Sequence, residues 1–168
     1  MKIIYLKMVI VVFLSVLIYF IWLCNKPVKI IAVHKDQHWT KVLVKNFPLT
    51  SRGKVNWWES NKIMLREKYG IPVSDNYGRF SVTFWEFGDG YEVEQPDKNT
   101  FFPSKSTDHL FCFNDMKVEA RCIRKENNLM EINTTSENLI KFKANGETYY
   151  QDDKGKITKG ERFTYTIK

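Results

Sequence analysis

From Met8 to Cys24 the chain reads MVIVVFLSVLIYFIWLC, seventeen residues with no charged side chain and with hydroxyls only on Ser15 and Tyr19. As a helix this run rises ~26 Å at ~1.5 Å per residue. Adding residues 3–7, with Lys7 snorkelling its ammonium outward, reaches the ~30 Å of a hydrocarbon core. Trp22 and Tyr19 suit the far interface and Tyr5 the near one, and Pro27 stops the helix or follows its end. The expectation is a tail and uncleaved transmembrane anchor over residues 1–25, in contact with the lipid bilayer, followed by a globular domain over 26–168.

A cleaved signal peptide needs small residues at the last and third-last positions before the cut. The exit here, Tyr19-Phe20-Ile21-Trp22-Leu23-Cys24-Asn25-Lys26-Pro27, offers no such pair. Lipidation of Cys24 is disfavoured too, because Leu23 and Trp22 precede it. The bland alternative is a helix buried wholly in a protein core.

Residues 26–68 carry ten Lys/Arg against Asp36, Glu59 and Glu67, while residues 69–97 carry only Arg79 against six acids. A basic half directly after an anchor fits attraction to anionic head groups. Nucleic acid, the other usual partner of a basic patch, does not suit a tethered domain. Lys2 and Lys7 on one side face Lys26, Lys29, Lys35 and Lys41 on the other, so flanking charge alone does not orient the helix. Cys112 and Cys122 flank a polar, turn-prone stretch, a spacing suited to a hairpin staple whose loop closure is worth ~2.5–3 kcal/mol in the chain-entropy account. Such a bond requires an oxidising compartment, which places the domain in the periplasm and the N-terminus in the cytoplasm. The competing reading is two unrelated buried thiols.

Within the domain, alternation predicts strands over 28–34 and 39–47 joined by a turn at 35–38. In the second, Trp39, Lys41, Leu43, Lys45 and Phe47 share one face. Thr50 or Ser51 caps a helix running to Tyr69, with Gly70 as its left-handed terminator. Val55, Trp58, Lys62, Leu65 and Tyr69 lie on its inner face, with Lys54, Asn61 and Lys68 outside it. Residues 77–87 form the strongest strand, Gly88-Asp89-Gly90 turns the chain, and 91–95 pairs back as a hairpin. A polar loop over 96–108 carries Phe101 and Phe102. Further strands follow at 129–133, at 139–144 against 147–151 across Asn145-Gly146, and at 162–167. The sum is an α+β domain, a mostly antiparallel sheet packed with one main helix, behind a single N-terminal transmembrane helix.

Candidate chemistry is sparse. His34 and His38 have a metal-like spacing but flank a turn without a completing ligand, and His109 stands alone. Asp152-Asp153-Lys154-Gly155 lacks the ligand pattern of a calcium loop, and the serines lack a nucleophile-elbow context. No catalytic residue, metal ligand or cofactor is expected. Glu86, Glu92 and Glu94 could be read as acid/base groups, but with Asp89 they better suit a docking surface for a basic partner. Trp57, about 100° round the helix from Trp58, should be partly exposed and could anchor an interface.

The anchor, then IIAVH, VLVKNFP, GKVNWWESNKIMLREKYGIP, YGRFSVTFWEFGDGY and FCFNDMK with a later Cys-Ile, resembles a family of enterobacterial membrane proteins of unknown function over about residues 8–125. The resemblance implies a bacterial envelope setting and supplies no reaction or ligand. The reading is a non-enzymatic, inner-membrane-anchored periplasmic protein that binds another envelope or secreted protein in the manner of an immunity partner. Two alternatives are an envelope enzyme acting on peptidoglycan or lipid through Glu86, Glu92 or Glu94, and an accessory subunit of an envelope complex.

Overall fold

The computed structural model describes residues 2–24, 26–96 and 106–160, and of residues 2–4, 6 and 20–24 the backbone alone. The predicted strand at 162–167, Phe101 and Phe102, and the side chains of Trp22 and Cys24 lie outside the described residues. Helix α1, Lys2–Cys24, is continuous. Its apolar side chains from Tyr5 to Tyr19 are 46–68 % exposed wherever described, with Met8 through Leu14 covering every direction around the axis. Among the described residues no helix is long and apolar enough to cross a membrane.

The domain is built on a seven-stranded sheet. Its first three strands are β1 (Lys29–Asp36), β2 (Trp39–Lys45) and β3 (Ser81–Glu86). A second, three-stranded sheet comprises β4 (Glu92–Val93), β5 (Leu110–Cys112) and β6 (Ala120–Arg124). The chain then returns to the large sheet as β7 (Asn128–Thr134), β8 (Ile140–Ala144), β9 (Glu147–Gln151) and β10 (Ile157–Lys159). The order is β1-β2-β3-β7-β8-β9-β10 in the large sheet and β4-β6-β5 in the small one. All large-sheet pairs are antiparallel except β2 with β3. A parallel pair needs a long crossover, and helix α2, Ser51–Tyr69, supplies it. The Thr50 side chain accepts the Gly53 N–H at 3.0 Å, and Gly70 ends the helix at φ 60°. Both caps are those expected from the sequence.

α2 lays Val55, Trp58 and Leu65 on one face of the sheet, against Val42, Val44, Val82, Phe84, Met130, Ile132 and Phe142. Phe84 is the hub, fully buried, with the rings of Phe47, Trp57 and Trp58 centred 5.0, 5.7 and 6.0 Å away. The small sheet covers the opposite face, where Leu43 and Trp85 meet Phe113 and Ile123, with Ala32, Phe87, Tyr91 and Phe111 around them. Because β2 is covered on both sides, Val42, Leu43 and Val44 are all fully buried, the continuous burial of a strand between two layers.

Four expectations need correcting. The 91–95 segment does not pair back on β3, whose two edges are already taken by β2 and β7. Gly88 and Gly90, at φ 52° and 115°, instead turn the chain out of the sheet, and β4 joins β6 in the second layer. Phe47 belongs to the α2 side, not with Leu43, because Asn46 at φ 60° breaks the alternation. Lys54, expected outside the helix's inner face, is 3 % exposed, whereas Lys62, expected on that face, is exposed.

Candidate functional site

The second layer is held by covalent and polar contacts as well as by packing. Cys112 and Cys122 are direct cross-strand partners in the β5–β6 pair and are joined by a disulfide, with their Cα atoms 3.9 Å apart. Beyond β5 the chain turns at residues 113–116 and brings Phe113 and Asp115 back toward β1.

A register shift in β1 between Ile30 and Ala32 lets Ala32 and His34 both face this layer. His34 is the point where the two sheets meet. Its ring stacks on Phe113 at 3.9 Å between centroids and 20° between planes, and its side chain is 11 % exposed. Nδ1 lies 2.8 Å from Asp115 Oδ2, and Nε2 lies 2.7 Å from the Tyr91 hydroxyl. A carboxylate only accepts, so Nδ1–H donates to Asp115; in the neutral ring Nε2 then accepts the Tyr91 O–H. Burial, and secondarily the Asp115 charge, push the Tyr91 hydroxyl above its ordinary range, which keeps it a phenol that donates. Asp115, His34 and Tyr91 thus form a continuous hydrogen-bonded row linking the segment after β5, β1 and the segment before β4.

Beside this row lies a cleft of about 330 Å³ whose wall includes His34, Lys41, Phe111, Phe113 and Asp115. Lys41 stands directly across from His34 in the β1–β2 pair, with its ammonium 4.5 Å from the centre of the Phe111 ring. Burial lowers its pKa, partly offset by the Asp36 carboxylate.

The sequence-predicted site residues are not gathered at one place. Glu92 accepts from Arg124 Nε at 2.9 Å and Glu94 from Arg121 at 3.3 Å, so both acids of the β4 region are paired with cations of β6. Asp89 is exposed at the turn. Glu86 is half-buried at the end of β3; burial raises its carboxyl pKa, opposed by Lys45 and by the Gly88 N–H. Trp57 is half-buried on the opposite side of the large sheet, edge-on to Phe47 and Phe84 at 5.2 and 5.7 Å, so it and β4 do not share a surface. Among the described residues one set of three potential ligand atoms lies within 4.8 Å, that of Glu94, Cys112 and Cys122. Both its sulfurs are committed to the disulfide, which leaves no thiolate to bind a metal. His38 does not join His34; it packs on the half-exposed Trp39 ring at 4.7 Å.

Sequence reasoning missed the Asp115–His34–Tyr91 row, whose members are separated by 81 and 57 positions. The available signal was His34 in a predicted strand, two positions after Ala32 on the same face.

The chain belongs to the family described as Enterobacterial putative membrane protein (DUF943), which it matches over residues 2–161. The match therefore runs through β7–β10, past the stretch that carried the resemblance in the sequence. No curated protein and no solved structure matches the chain.

Proposed function

We propose that this family member is a single-pass inner-membrane protein with a cytoplasmic N-terminus, whose periplasmic domain binds another envelope or secreted protein and catalyses no reaction. The observation that carries the reading is the second layer. The three short strands are stapled to one another by the β5–β6 disulfide, and the His34 row and the packing of Phe113 and Ile123 on Leu43 and Trp85 tie this sheet to the body. A disulfide of this kind fits an oxidising compartment. The membrane part rests on the sequence, the uncharged apolar run Met8–Cys24, and on the family's description as a membrane protein. For binding, the layer offers an outer surface with exposed Val93 and Val118 beside the Glu92–Arg124 and Glu94–Arg121 pairs. At His34 both ring nitrogens are engaged and the neighbouring hydroxyl is held protonated, an arrangement suited to fixing structure.

The test is photo-crosslinking in intact cells, with the probe placed in turn at Val118 and at Ile63, which is exposed on α2. The expected result is one stoichiometric protein adduct from Val118 and none from Ile63. A chain that yields no protein adduct from Val118, or the same adducts from both positions, overturns the reading.

A further inference from the structure

The cleft beside His34 holds a cation that lacks a hydrogen-bonding partner among the described residues. Among the described residues Lys41 makes no hydrogen bond and no ion pair; its ammonium rests on the face of Phe111 at 4.5 Å. A cation–π contact of this kind leaves the three N–H groups of the ammonium without acceptors. Lys35 also borders the cleft, but its Nζ would lie 3.1 Å from a Cβ placed on Gly70, so its charge sits at the C-terminal end of α2. Two carboxylates border the same space. Asp36 acts electrostatically on Lys41, and Asp115 gives Oδ2 to His34.

This pattern selects among ligand charges. A ligand carboxylate would supply the acceptors that Lys41 lacks. A phosphate dianion would meet Asp36 and Asp115 as like charges at the same time. A ligand ammonium would find those two carboxylates. The volume, about 330 Å³, is at the small end of the ~300–1,000 Å³ of ligand pockets, and the Phe111 and Phe113 rings provide apolar wall for short aliphatic groups.

We propose that this cleft binds a small zwitterion, a free α-amino acid or a short peptide, with its carboxylate on Lys41 and its ammonium toward Asp36 and Asp115. The site is independent of the protein-partner reading: the purified chain can bind such a ligand whether or not crosslinking recovers a partner.

The experiment is calorimetric titration of the full chain in detergent micelles with alanine, alanylalanine, alanylalanine amide, N-acetyl-alanylalanine and inorganic phosphate. Saturable binding of alanine or alanylalanine is expected, and which of the two binds tighter distinguishes a free amino acid from a peptide. The amide and the N-acetyl form should each bind at least about tenfold more weakly, and phosphate should not compete. Lys41→Met should abolish the binding. Because that variant could misfold, the Lys41 ammonium is also followed by NMR in the unaltered chain, where its pKa should rise on adding whichever of alanine and alanylalanine binds tighter and stay in place on adding the amide. Equal binding of the amide or the N-acetyl form, competition by phosphate, an unmoved Lys41 titration, or no binding of any probe overturns the proposal.

Discussion

Lys54 is a buried cation without a counter-ion among the described residues. It is 3 % exposed, and its ammonium donates to the Leu129 carbonyl at 2.9 Å and to Asn145 Oδ1 at 2.7 Å. Asn145 in turn donates to the Leu49 carbonyl at 2.7 Å. One side chain therefore ties α2 to β7 and to the β8–β9 turn. Burial lowers its pKa, so above the lowered value the unfolded chain binds more protons than the folded one. Stability should then rise with pH up to the ordinary lysine value of ~10.4 and be flat at lower pH, as far as this group is concerned. Lys54→Met should cost ~1–3 kcal/mol by orphaning the two acceptors and should remove the alkaline rise; thermal unfolding in micelles across that range measures both. Glu147 shows the opposite sign. Its ion pair with Lys159, then the hydrogen bond from the Tyr149 hydroxyl, hold its carboxyl at about 2. Its stabilising contribution is complete above the unfolded value of ~4.3 and is lost as pH falls toward the folded one. Lys159→Ala should move the Glu147 titration up toward the ordinary carboxylate range, as read by carboxyl-carbon NMR.

Elements whose causes are local could be read from the sequence. Thr50 and Gly70 bracket α2, Asn145-Gly146 closes β8–β9 with both residues at positive φ, and the cysteine spacing gave the β5–β6 staple. The second layer could not be read. The signal of residues 91–95 as a strand was real, but its partner lies across a loop in β6, and no local pattern distinguishes that pairing from a return to β3. The inward turn of Lys54 was likewise hidden, because its acceptors come from 75 and 91 positions away. The layer's dependence on its staple is testable. Replacing Cys112 and Cys122 together with serine should cost ~2.5–3 kcal/mol by the loop-closure account. Amide exchange should quicken through 110–124 while β2, β3 and β7 keep their protection. Equal loss of protection in both sheets would show that the layers unfold as one unit.

At the scale of the molecule, the large sheet is a shared wall with Phe84 on one side and Trp85 on the other. Phe84→Ala should destabilise the whole domain by ~3–5 kcal/mol, since the four-ring cluster cannot close over the cavity; a drop in unfolding temperature without a change in the denaturant slope checks this. Topology is decided by a reporter fused after Lys168 that works only in the periplasm: activity is expected, and activity of a cytoplasmic reporter at that junction overturns the orientation. With α1 in the bilayer, one further property follows from chain length. Only residues 25–28 separate Cys24 of α1 from Lys29 of β1, a reach of ~14 Å at ~3.3–3.6 Å per residue. Seven strands at ~4.8 Å spacing are ~29 Å across, so the leash is shorter than the body it holds. On the topology proposed above, the domain would skim the lipid surface and not range into the space above it. A binding partner embedded in the same membrane meets it by lateral diffusion, at a high effective concentration, whereas a soluble one has to come down to the head groups to be caught.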